Sequence, residues 1–134
     1  MSRSSIRFII PLRPPSVNSL YNVMRYGPRL EVKLKPEVVI FKATVKQYVP
    51  TFTRPSEHDL VYFNMTFHDS AYFFKNGKLR KFDITNTEKA LLDAICERLG
   101  FDDCYVKERR LKHVNSADGR DKMEVEIGVI RNDP

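Results

Sequence analysis

The chain is predicted to fold as a single α+β domain spanning residues 1–134, with a mixed β-sheet packed against two α-helices. Residues 60–68 alternate strictly. Val61, Phe63, Met65 and Phe67 share one face and Tyr62, Asn64, Thr66 and His68 the other, the period of a half-buried strand. The same period recurs near the end in Met123, Val125, Ile127 and Val129. Between them, Leu91, Leu92, Ile95 and Leu99 fall at helical spacing and mark an amphipathic helix. A chain of 134 residues is long enough to bury one core and too short for two.

Each element has a local cause. Residues 6–12 read as a first strand in which Ile6, Phe8 and Ile10 share a face, ended by Pro14-Pro15-Ser16. Residues 13–35 read as an extended, basic, partly mobile loop. Pro36 suits a helix start, and Val38, Phe41, Val45 and Tyr48 follow at helical spacing until Pro50 stops the run. The β-branched residues here would also suit a strand. An Asn76-Gly77 pair predicts a hairpin or loop tip around residues 73–79. Thr85 and Glu88 are spaced as a capping box, with Thr85 as N-cap, opening a helix that runs to about Leu99 with Gly100 past its end. Strands over about 104–113 and 122–130, joined through Ser116-Ala117-Asp118-Gly119, complete the order.

Composition narrows the function classes. Hydrophobic residues make up 42% and charged residues 30%, a globular balance far from the disordered regime. The net charge of +6 and a pI near 9.4 favour a polyanionic partner such as nucleic acid over plain solubility, by about two to one. No stretch approaches the roughly 18 apolar residues that span a bilayer, and the opening apolar run is too short for a signal peptide. No membrane association is expected. Cys96 and Cys104 lack CxxC spacing, so a reduced, cytoplasmic protein is expected. His58, His68 and His113 are scattered, which argues against zinc.

One region has the residue types for chemistry. Asp83 precedes the second helix, Lys89 and Asp93 lie four apart on one of its faces, and Asp102-Asp103 follow it. Carboxylates are the hard oxygen ligands that magnesium prefers. In phosphodiester hydrolysis such a metal activates water and neutralises charge on the phosphate, and a nearby lysine stabilises the charge that develops. Each residue also has a plainer role. An aspartate before a helix caps it, a Lys–Asp pair four apart is a surface ion pair, and Asp102-Asp103 is a polar turn.

The block from Asp83 through Thr85, Asn86, Lys89 and Asp93 to Asp102-Asp103 resembles the signature of the RusA family of Holliday-junction resolvases, Asp-x-Asp-Asn-x-x-Lys-x-x-x-Asp-Ala-Leu followed by Asp-Asp. Pro14-Pro15-Ser16-Val17-Asn18, with Tyr21 beyond it, is similar to that family's opening motif. The resemblance implies a RusA-like fold and a homodimeric endodeoxyribonuclease that nicks four-way DNA junctions in recombination and repair, in a bacterial, phage or prophage context. It implies magnesium, with manganese as a substitute. Asp83 and Asp103 match metal-binding aspartates, Lys89 matches the catalytic lysine, and Asn86 and Asp93 match supporting positions. Thr85 stands where the family carries a second metal-binding aspartate, so Asp102 becomes a candidate replacement ligand.

Basic clusters flank this block. Lys75, Lys78, Arg80 and Lys81 lead into it, Lys107, Arg109, Arg110 and Lys112 follow it, and Arg13, Arg25 and Arg29 lie in the N-terminal loop. Lys75, Lys78, Arg80, Lys81, Lys107, Arg109 and Arg13 are the foremost candidates for DNA contact. Strand alternation puts Lys107 and Arg109 on one face and Arg110 and Lys112 on the other. Two rival readings remain: a junction-binding protein of the same fold with little cleavage, because Thr85 lacks a charge, and a basic RNA- or protein-binding module.

Overall fold

A computed structural model describes residues 2–13, 20–69, 85–116 and 118–131, with the backbone alone for residue 2 and residues 85–87. The elements are β1 (Ser2–Ile10), β2 (Tyr21–Tyr26), β3 (Arg29–Leu34), α1 (Pro36–Tyr48), β4 (Leu60–His68), α2 (Thr85–Leu99), a 3-10 turn (Asp103–Tyr105), β5 (Val106–Val114) and β6 (Lys122–Arg131). The α+β class expected from the sequence is what forms: a four-stranded mixed sheet with two helices, and a separate two-stranded ribbon.

The sheet order is β1-β6-β4-β5. β6 pairs antiparallel with both β1 and β4, whereas β4 and β5 run parallel. The parallel pair requires a crossover, and α2 lies on it. Alternation in β4 and β6 meets in register: Phe63 lies opposite Ile127 and Met65 opposite Val125, and all four are buried. With Ile10 from β1, Val38, Phe41 and Val45 from α1, and Leu91, Leu92 and Ile95 from α2, they form one core on the helix side of the sheet. Fully burying each such side chain contributes about 1.5–3 kcal/mol.

α1 forms as a helix despite its β-branched residues, because Val38, Phe41 and Val45 make a single buried stripe. Tyr48, expected on that stripe, is half-exposed, and Val49 is buried in its place as the chain leaves the helix. α2 ends at Leu99 as the sequence indicates. Gly100 adopts φ 81°, and the amides of Gly100 and Phe101 both donate to the Cys96 carbonyl, at 2.8 and 3.2 Å.

Two expectations need correction. The first strand covers Ser2–Ile10 rather than 6–12, because polar Ser2, Arg3, Ser4 and Ser5 still pair with β6, Ser2 lying opposite Arg131. The supposed loop over 13–35 contains the β2–β3 ribbon, closed by a turn at Gly27-Pro28 and tied to the domain by the Lys35 amide donating to the Leu20 carbonyl at 2.9 Å. The basic side chains there mask an alternation of Tyr21 and Val23 against Val32 and Leu34. Residues 14–19 and the expected hairpin at 73–79 lie outside the described residues.

Candidate active site

The candidate site lies along α2 and the turn that follows it. Lys89 is exposed on the helix and Asp93, one turn on, is half-buried. Burial raises the Asp93 carboxyl above its ordinary value; the ammonium groups of Lys42 and Lys89 oppose this, and the charges of Asp103 and Glu97 add to it. Lys89, Asp93 and Asp103 therefore share one electrostatic neighbourhood. The turn after α2 brings Asp103 back beside the helix, where the Gly100 and Phe101 amides fold the chain onto the Cys96 carbonyl.

Cys96 lies one turn further along. Its thiol is pushed up to about 12, first by burial and then by Asp103 and Asp93. A thiol held protonated is not a nucleophile, so Cys96 packs. Cys104 is free and exposed.

Asp102 caps the 3-10 turn: the Cys104 amide donates to its Oδ1 at 2.9 Å. That backbone bond, together with a side-chain bond involving Asp103, holds the Asp102 carboxyl below the usual range. Asp102, the candidate replacement metal ligand, thus has a structural task of its own. Among the described residues no three His, Cys, Asp or Glu side chains group as a metal site. Asp83 lies outside the described residues, as do the side chains of Thr85 and Asn86.

The sequence reading missed the contribution of α1. Lys42, whose side chain is only 14% exposed, donates to Glu97 Oε1 at 2.6 Å, and Lys46 Nζ lies 2.6 Å from Glu97 Oε2. Burial works against the Glu97 charge, but the two ammonium groups prevail and hold its carboxyl below the ordinary value. Lys42 and Lys46 are four apart, the only sequence hint; which helix they would meet was not readable.

The basic candidates separate by what they already bind. Arg109 Nη1 lies 3.5 Å from Glu88 Oε1, and Arg13 Nε lies 4.0 Å from Asp69 Oδ2. Arg110 pairs with Glu108 at 3.2 Å. A register shift opposite Lys107 breaks simple alternation: Arg109 faces the α2 side beside Phe63, and Arg110 and Lys112 take the open face beside Asn64 and Thr66. Lys107 is exposed. Lys75, Lys78, Arg80 and Lys81 lie outside the described residues. The open face has its own polar network, in which Arg7 Nε and Asn64 Nδ2 donate to the two Glu126 oxygens at 3.0 and 2.8 Å. Among the described residues no helix is long and apolar enough to cross a membrane.

No protein-family model and no curated protein matches the chain. Among solved structures, a crystal structure of 2C-methyl-D-erythritol 2,4-cyclodiphosphate synthase from Plasmodium vivax is similar over 98% of this chain and 97% of that one, at 10% identity and a TM-score of 0.31. A likeness at that level carries no argument about function.

Proposed function

We propose that the chain is a structure-selective, magnesium-dependent endodeoxyribonuclease that nicks four-way DNA junctions, acting as a homodimer in the cytoplasm during recombination and repair. The single observation that supports this reading is that the Asp93 carboxyl feels the charges of both Lys89 and Asp103, three residues of the signature drawn from two separate segments. Their chemistry suits a divalent ion. Asp93 and Asp103 repel one another, a strain that a bound cation relieves, and magnesium needs only one or two carboxylates beside water and phosphate oxygens. Manganese fits the same donors.

Asp103, with Asp83 from ahead of α2, would hold the ion, which when bound supplies an activated water and a Lewis acid at the phosphate. Lys89 stabilises charge on the departing oxygen. Asp93, half-buried and attracted by the charges of Lys42 and Lys89, would orient the Lys89 ammonium toward the site. Asp93 lies eight residues past Thr85, about 12 Å along the helix axis, so the reading requires the Asp83 carboxylate to reach back along the Lys89 face.

A second reading, junction binding with little cleavage, is favoured by the capping role of Asp102, which leaves no evident substitute for the carboxylate replaced by Thr85. A junction-nicking assay with magnesium and manganese titrated separately decides between them. Asp103→Asn and Lys89→Met are expected to lower nicking by about a hundredfold or more with junction affinity retained. A gain in Thr85→Asp identifies the missing ligand. Tight binding without nicking in every variant supports the second reading, and no affinity for DNA removes both in favour of an RNA- or protein-binding module.

A further inference from the structure

The β2–β3 ribbon packs on the core only at its base, through Leu34, and its outer part has both faces uncovered: every residue from Tyr21 to Leu30 is exposed. Its register places Val23, Arg25, Leu30 and Val32 on one face, and Met24, Tyr26, Arg29 and Glu31 on the other. The Tyr26 hydroxyl donates to Met24 Sδ at 3.7 Å along that second face. Six of the eleven large hydrophobic side chains exposed among the described residues lie on this ribbon, which marks it as an interaction surface rather than a solvated arm.

The charges at its tip indicate the occupant. Arg25 and Arg29 flank the Gly27-Pro28 turn on opposite faces. Several other cations among the described residues are neutralised: Arg7 by Glu126, Arg109 by Glu88, Arg110 by Glu108, and Lys42 by Glu97. On the ribbon itself Lys33 pairs with Glu31 at 3.3 Å. Arg25 and Arg29 have no carboxylate partner within 4.0 Å among the described residues. A second copy packing face to face would bury Arg25 beside Val23 and Leu30, and an unpaired guanidinium is costly to desolvate.

We propose that the tip of the β2–β3 ribbon inserts into a groove of double-stranded DNA, with Arg25 and Arg29 reaching the phosphate backbones on its two sides. The inference rests on the DNA-binding reading above and names the element that grips a duplex arm away from the chemistry. The fit is physical. The major groove is about 12 Å wide and admits a two-stranded ribbon. Six residues per strand reach about 20 Å at 3.3 Å each. Guanidinium groups on opposite faces meet opposite walls, and Tyr26, Val23 and Leu30 offer apolar contact to sugars and thymine methyls.

The test uses the full chain with a labelled four-way junction and with a labelled linear duplex, titrated at several salt concentrations. Arg25→Ala with Arg29→Ala should lower affinity for both DNAs about tenfold or more at low salt and reduce the salt slope by about 1.8 for each ribbon engaged, two phosphate contacts at about 0.9 each. Arg25→Lys with Arg29→Lys should keep the slope. Unchanged affinity and slope in the alanine pair, with wild type binding DNA, overturns the inference and leaves the nuclease reading standing. Val23→Thr with Val32→Thr, followed by mass in solution, is the counter-test: loss of a dimer there, with the alanine pair unaffected on DNA, assigns the ribbon to a second copy. A wild-type chain that binds neither DNA overturns both readings together.

Discussion

Arg109 on β5 reaches Glu88 in the first turn of α2, with Nη1 3.5 Å from Oε1. The pair records how the chain returns. β5 begins beside the later turns of α2, where Asp103 acts on Asp93 and Cys96, and runs back until its fourth residue stands opposite the helix start. The two segments that carry the candidate site are thereby clamped. Glu88 also sits where the positive end of the helix dipole favours an acid.

That clamp is half-exposed and should be modest. Arg109→Ala is expected to cost about 0.2–1 kcal/mol in denaturant unfolding, shrinking as salt is raised. Because Arg109 is already engaged, Lys107→Ala should weaken DNA binding more than Arg109→Ala does. The opposite order in a direct titration contradicts the assignment.

Asp93 should cost the fold some stability. Its carboxyl is raised by burial, so the folded chain holds its proton above the pH at which the unfolded chain releases it, and stability falls as pH rises through that interval. At neutral pH Asp93→Asn should therefore stabilise, by about 0.5 kcal/mol or roughly 2–3 °C in Tm, and the gain should vanish toward about pH 4. Nicking by the same variant should drop. A variant that is less stable at neutral pH contradicts this picture of the site.

His113 gives a second pH signature. Burial, beside Phe67 at 5.1 Å between ring centroids, lowers its imidazole below the ordinary value of 6.5. The unfolded chain then takes up a proton that the folded chain refuses, so stability contributed by the neutral ring is lost as pH falls through 6.5. Thermal unfolding between about pH 7.5 and about pH 5.5 should show Tm falling more steeply in wild type than in His113→Leu. Parallel slopes would place the titration elsewhere.

Gly128 is required by a close approach. It lies opposite Tyr62 in the β4–β6 pairing, and a Cβ added there would overlap the hydroxyl end of the Tyr62 ring. Gly128→Ala should destabilise by about 1–3 kcal/mol, and in a Tyr62→Ala background the same change should cost little. A double-mutant cycle measured by chemical unfolding reads the coupling directly.

By itself the sequence determined the elements whose cause is local. The alternation of β4 and β6, the helical stripe of α2 with its Gly100 stop, and the Pro36 start of α1 are properties of neighbouring residues, and the structure has each. Periodicity also separated core from surface along them, because one buried face is enough to specify a strand or a helix. Only tertiary structure decided which faces meet. The β2–β3 ribbon depends on register between two strands whose apolar face is crossed by Arg25, so its pattern was hidden among the basic residues. Lys42 reaches Glu97, and Arg109 reaches Glu88, across 55 and 21 positions of chain, because helix packing and a parallel crossover put them there. Electrostatic partners of this kind depend on distance in space, which spacing along a chain does not encode.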